Sequence, residues 1–159
     1  MRLAVAAIGR LRAGPESALI DDYAARIRGN GRAVGVMAFD IREMEAPKNM
    51  AGEARQQRES ALLIDATANA RRVALDERGD NLGSMAFAER LARWRDEGAK
   101  EIAFLIGGAD GHHASLTTAS DWRLAFGRAT FPHMLVRVML VEQIYRAVTI
   151  LAGHPYHRE

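Results

Sequence analysis

Two glycine-bearing segments place bare backbone where a ligand can approach. Leu75-Asp76-Glu77-Arg78-Gly79 closes one apolar run, and Ile106-Gly107-Gly108-Ala109-Asp110-Gly111 closes another. In α/β proteins ligands bind beyond the carboxyl ends of the strands, where amides and helix N-termini converge. Neither segment is a GxxxxGK[ST] phosphate loop or a GxGxxG dinucleotide fingerprint, and a tight turn without a ligand is the plain alternative for each.

The five histidines are His112, His113, His133, His154 and His157. The spacing of His154 and His157 invites a metal reading, but Pro155 lies between them and no carboxylate stands at ligand spacing, so no metal is expected. His133 follows Pro132, which is tolerated in a first helical turn; it is a catalytic candidate or simply a helix-start residue. Arg137 sits among Met134, Val141, Ile144 and Val148 at helical spacing. A buried guanidinium needs a carboxylate, a phosphate or carbonyl oxygens. We read it as a ligand or RNA contact, with an ion pair inside the protein as the alternative.

The elements that must position these residues alternate along the chain. Strands are expected over residues 2–8, 33–40, 71–76, 101–106 and 122–126. Helices are expected over 15–28, about 49–68, 85–97, 115–119 and 134–152. Gly29-Asn30-Gly31 reads as the turn that closes the first helix, residues 42–48 as a polar loop, and Ser84 as a simple helix cap. This alternation predicts one α/β domain over residues 1–159, a parallel-rich sheet with helices on both faces.

The 159 residues carry 22 Lys+Arg against 20 Asp+Glu, are 48% hydrophobic and contain no cysteine. Disulfide frameworks and thiolate metal sites are thereby excluded, and a chain of this length needs no staple to build a core. Only Lys48 and Lys100 are lysines, so the basic side chains are nearly all arginine, the residue suited to bidentate phosphate contact. No basic tail is present. After Arg2 only a short apolar run precedes Gly9, so no signal peptide is expected and the cytoplasm is the expected location.

The last helix is unusually apolar: 14 of the 19 positions from 134 to 152 are hydrophobic. Arg137, Glu142 and Arg146 within it exclude a membrane span. Glu142, Gln143, Arg146 and Thr149 form one polar stripe, and more than half of the circumference stays apolar. A second copy of the chain packed on this helix is the expected cover, which predicts a homodimer.

Taken together, the strand-end segments, Thr130-Phe131-Pro132-His133, Arg137-Val138, Val141-Glu142-Gln143-Ile144-Tyr145-Arg146-Ala147 and the terminal His154-Pro155-Tyr156-His157-Arg158-Glu159 resemble the bacterial ribosomal large-subunit pseudouridine N(3)-methyltransferases of the SPOUT class. The resemblance covers the whole chain. It implies a C-terminal deep trefoil knot and S-adenosyl-L-methionine held by backbone at Leu75, Gly107, Gly108, Phe126, Gly127, Arg128, Ala129, Thr130 and Phe131. It also implies a homodimer that methylates ring nitrogen 3 of a pseudouridine in 23S ribosomal RNA. The His112-His113 pair stands where family members often carry an apolar residue.

The reaction needs in-line positioning and loss of the imide proton; His154, His157 and Glu142 are the candidate bases, with water as an alternative acceptor. Gly153 and Pro155 end the last helix. The tail is therefore expected to project towards the cleft of its own or a partner subunit, with Tyr156 stacking on a base and Arg158 near phosphate; Arg137, Tyr156 and Arg158 are the substrate-binding candidates. A non-catalytic ribosome- or RNA-binding factor on the same fold is the competing reading.

Overall fold

The computed structural model describes residues 1–157. Strands β1 (Arg2–Ile8), β2 (Ala38–Met44), β3 (Arg71–Asn81), β4 (Glu101–Ile106) and β5 (Trp122–Ala125) form one sheet in the order β2-β1-β4-β3-β5. All four pairings are parallel. Helices α1 (Pro15–Gly31), α2 (Gly52–Ala66), α3 (Ser84–Asp96), α4 (Ala114–Thr118) and α5 (His133–Leu151) cover it.

The central strands are continuous apolar runs because both of their faces are covered. In β1, Leu3, Val5 and Ala7 join the core that includes Ile27 of α1, Leu91 of α3 and Ile144 of α5. The alternate residues Ala4, Ala6 and Ile8 join a smaller core with Leu63 of α2 and Leu116 of α4. A period of two along one strand thus serves two layers.

Several boundaries differ from the sequence reading. The second strand was expected over residues 33–40, but Arg32–Val34 is a 3-10 turn ended by Gly35 at φ 79°. Strand β2 begins only at Ala38, where pairing with Arg2 fixes its register. Its polar residues, read as loop, are tolerated on this edge strand because they are paired: Arg42 Nη1 lies 2.7 Å from Glu101 Oε1. Helix α1 runs through Gly29 and Asn30 to Gly31. Gly83, not Ser84, caps α3, and the Ser84 hydroxyl donates to Gln143 Oε1 at 2.9 Å on α5.

Strand β3 carries the irregularity that matters most. Leu124 of β5 is the register partner of both Leu75 and Asp80, so residues 76–79 loop out of the ladder at the sheet's carboxyl edge. A Cβ on Gly79 would lie 2.6 Å from the Arg123 carbonyl carbon and 2.7 Å from Leu124 N. Backbone against backbone leaves room only for glycine there.

Candidate active site

The loop-out of β3 is one wall of a cleft of about 530 Å³. The other walls are the glycine loop after β4, the segment after β5, Gln56 of α2 and Val136 of α5. This lies within the size range of small-molecule sites. Each wall is held locally. Asp76 Oδ1 accepts from the Arg78 amide at 2.9 Å, which stiffens the loop-out.

Helix α2 pins the glycine loop at three points. Gln56 Nε2 donates to the Asp110 carbonyl, the Gly108 amide donates to Glu59 Oε2 at 3.3 Å, and the His113 amide donates to Ser60 Oγ at 3.0 Å. The Gly111 amide closes the turn onto the Gly108 carbonyl at 3.1 Å, with Gly111 itself at φ 76°.

The cleft wall carries three carboxylates, Asp76, Glu77 and Asp110, and one guanidinium, Arg78. His112 also lines it; Nε2 faces the Leu105 carbonyl at 3.2 Å, while Nδ1 is buried without a partner. Burial holds the imidazole below its ordinary pKa of 6.5 against the opposing pull of the Leu105 and Leu75 carbonyls, Asp76 and Glu59, so the ring is neutral at pH 7. The wall therefore has a net negative character suited to a cationic ligand. Among the described residues no group of three or more His, Asp or Glu side chains is placed to hold a metal.

The family model described as "Predicted SPOUT methyltransferase" matches residues 1–157. The chain belongs to the SPOUT methyltransferase family. It is 53% identical over 161 residues to the ribosomal RNA large subunit methyltransferase H of Nitrobacter hamburgensis, covering 99% of each chain. It is 52% identical over 159 residues to the protein of the same name from Ruegeria pomeroyi, again covering 99% of each. Among solved structures, the SpoU methyltransferase AviRb from Streptomyces viridochromogenes, in complex with AdoMet, aligns with a TM-score of 0.42 at 12% identity over 96% of this chain and 61% of that one.

In this SPOUT methyltransferase the residues expected at the methyl-donor site divide as follows. Leu75, Gly108, Phe126, Gly127, Ala129, Thr130 and Phe131 line the cleft. Gly107 lies behind the wall, where an added Cβ would sit 3.1 Å from His112 Nδ1 and 3.2 Å from the Gly111 carbonyl oxygen. Arg128 is exposed and outside the lining. Gln56, Leu124, Ala125 and Val136 join the wall without a sequence signal; they come from three elements, and nothing in their spacing connects them.

Arg137 requires a correction. Its side chain is 2% exposed and bonds Glu43 Oε1 at 2.9 Å. It also donates to the carbonyls of Ile8 at 2.5 Å and Gly9 at 2.8 Å. These internal contacts, not ligand or RNA contact, engage Nη1 and Nη2, while Nε is buried without a partner among the described residues. Burial lowers its pKa, and Glu43 opposes that shift. Thr149 also leaves the expected polar stripe: it is fully buried, with its hydroxyl donating to the Arg146 carbonyl at 2.7 Å.

The candidate bases are not on the cleft wall. Glu142 Oε1 accepts from Arg146 Nη2 at 2.6 Å and from the Tyr156 hydroxyl at 3.0 Å. As far as His157 the tail folds back on α5. The Tyr156 ring packs 4.7 Å from that of Tyr145, and the Arg146 guanidinium lies 4.9 Å from its centre. Burial and bonding to Tyr23 and Glu142 raise the Tyr156 pKa. His157 Nδ1 is 3.5 Å from Arg146 Nη1, and His154 Nδ1 accepts from the Tyr156 amide at 3.2 Å. His133 is exposed at the first position of α5, and Arg158 lies outside the described residues.

A second, more apolar groove of about 420 Å³ runs between α1, α3 and α5, with Glu142 and Gln143 on its side. It shares Leu124 and Phe126 with the cleft, so the two depressions are neighbours. Among the described residues no helix is long and apolar enough to cross a membrane.

Proposed function

We propose that this protein binds S-adenosyl-L-methionine in the strand-end cleft and methylates ring nitrogen 3 of a pseudouridine in 23S ribosomal RNA, acting in the cytoplasm as a homodimer through α5. The observation that carries the reading is the cleft itself: it is walled by the loop-out of β3 and the loops after β4 and β5, and its carboxylate excess suits a sulfonium cation. The RNA class is supported by the names of relatives about half identical over nearly the whole chain. The pseudouridine nitrogen and the deep trefoil knot follow from the family resemblance of the C-terminal motifs.

When bound, the methyl donor supplies an electrophilic carbon on its sulfonium sulfur. The protein's share is to hold the ring nitrogen in line with that carbon and to accept or pass on the imide proton. Positioning supplies most of the rate, and a base acts only within hydrogen-bond reach of the proton. His154, Glu142 and His157 lie off their own cleft wall, so the reading assigns the proton acceptor to the tail or α5 of a partner subunit. Met134 and Leu135 are 38% and 44% exposed, and with the half-buried Val138, Met139, Ile150 and Leu151 they give α5 an apolar face for that partner.

Calorimetry with S-adenosyl-L-methionine, followed by transfer of labelled methyl to ribosomes and nucleoside mass spectrometry, tests the assignment. Micromolar binding and label in an N3-methylated pseudouridine of 23S RNA are expected. Label in another nucleoside overturns the assignment of the target. Binding without transfer to any ribosomal RNA turns the protein into a non-catalytic factor.

A further inference from the structure

Helix α2 contributes a buried charge that the proposed reaction has not used. Glu59 is 1% exposed, and its carboxylate has two partners among the described residues: Arg55 Nε at 2.9 Å and the Gly108 amide at 3.3 Å. A buried carboxylate is costly unless paired and hydrogen-bonded. One turn of α2 bears that cost beneath the loop that walls the cleft.

The contact is close. A Cβ on Gly108 would lie 2.6 Å from Glu59 Oε2 and 2.7 Å from Oε1, so the absence of a side chain at 108 is a requirement of the carboxylate's present position behind the loop. Sequence reasoning places that requirement on the ligand side; the geometry moves it to the protein side. The Gly108 amide is also spent on Glu59, so it is not a free donor for an anion. In a trans peptide the N–H and the preceding C=O point in opposite directions. Fixing the Gly108 N–H towards α2 therefore turns the Gly107 carbonyl away from α2, as an acceptor.

We infer that Glu59 is a positioning residue for the methyl donor: from behind the loop it sets the orientation of the Gly107–Gly108 peptide, and with it the backbone acceptor offered to the hydrogen-bond donors of an adenosyl or amino-acid group. The inference rests on the reading of the cleft as the methyl-donor site. Arg55 holds the carboxylate from the solvent side, and Gln56 and Ser60, on the same face of α2, fix the loop on either side of Gly108.

Glu59→Ala and Glu59→Gln separate this role from general support of the fold. Glutamine keeps an oxygen acceptor for the Gly108 amide; alanine keeps none. In calorimetry the affinity for S-adenosyl-L-methionine is expected to fall about tenfold or more in Glu59→Ala, the scale of one unmade buried hydrogen bond. Glu59→Gln is expected to stay within about threefold of wild type. In the transfer assay the KM for ribosomes is expected to stay unchanged while that for the methyl donor rises. Wild-type affinity in folded Glu59→Ala overturns the inference, as does a Gln variant as weak as the Ala variant.

Amide hydrogen exchange in the wild-type protein needs no variant: a protected Gly108 amide is expected, and exchange at the rate of an open loop overturns the pin. If wild type itself fails to bind S-adenosyl-L-methionine, the cleft reading falls, and the exchange measurement still judges the Glu59 contact.

Discussion

Replacing Arg137 with alanine tests whether this side chain supports structure or chemistry. The guanidinium links α5 to the end of β1 and to β2 through Glu43 at 2.9 Å, the Ile8 carbonyl at 2.5 Å and the Gly9 carbonyl at 2.8 Å. Its loss leaves Glu43 with the Leu11 amide at 2.9 Å and takes a charged donor from two carbonyls. Removing one partner of a buried ion pair costs about 3–5 kcal/mol. The Glu43 side chain is 26% exposed, so water recovers part of that, and about 3 kcal/mol is expected.

With a urea m-value of about 2 kcal/mol/M for a chain of this size, the unfolding midpoint of Arg137→Ala should fall by about 1.5 M. Adding Glu43→Ala should cost less than the sum of the single changes, with a coupling of about 1–3 kcal/mol. The functional arm is separate: methyl transfer per folded molecule should persist in Arg137→Ala. A loss under about 1 kcal/mol, or strict additivity with Glu43→Ala, refutes the structural assignment. An Arg137→Lys protein of wild-type stability that no longer transfers methyl returns the residue to a ligand role.

Gly79→Ala forces a Cβ against the Arg123–Leu124 backbone; a loss of about 3 kcal/mol, or roughly 10 °C in Tm, is expected by calorimetric melting, and an unchanged melt refutes the close approach. Burial keeps the His112 pKa below 6.5 in the folded state, so the unfolded chain binds the proton first and stability falls as pH drops from about 6.5 through the lower folded value. His112→Leu should therefore lose less stability than wild type between about pH 6.5 and 5, and identical acid limbs in urea titrations count against the shift. Deleting residues 156–159 should leave the sedimentation of the proposed dimer and the affinity for S-adenosyl-L-methionine nearly intact while transfer to ribosomal RNA collapses; full transfer in the truncated protein removes the tail from the mechanism. Ribosome binding should weaken steeply with salt as arginine–phosphate contacts release counterions, and a flat salt dependence in filter binding argues for another substrate.

Local patterning alone made the layered α/β architecture readable. Past their first residues, Arg2 and Glu101, β1 and β4 are apolar at every position because both faces of a central strand are covered, and Glu142, Gln143 and Arg146 of α5 fall on one helical stripe. The strand-end segments were legible for the same kind of reason, since glycine after an apolar run reports a backbone requirement that is local. What tertiary structure decided lies in pairings between distant residues. The start of β2 at Ala38 depends on register with β1. The loop-out of residues 76–79 depends on Leu124 pairing at both of its ends. Arg137 meets carbonyls more than 120 positions earlier in the chain. Gln56 and Glu59 carry no sequence signal until the glycine loop is laid on α2, and Tyr156 reads as a projecting, base-stacking aromatic until it folds back on Tyr145 and Glu142. Periodicity records which face of an element is buried; which partner buries it is a long-range choice, made only when the whole sheet assembles.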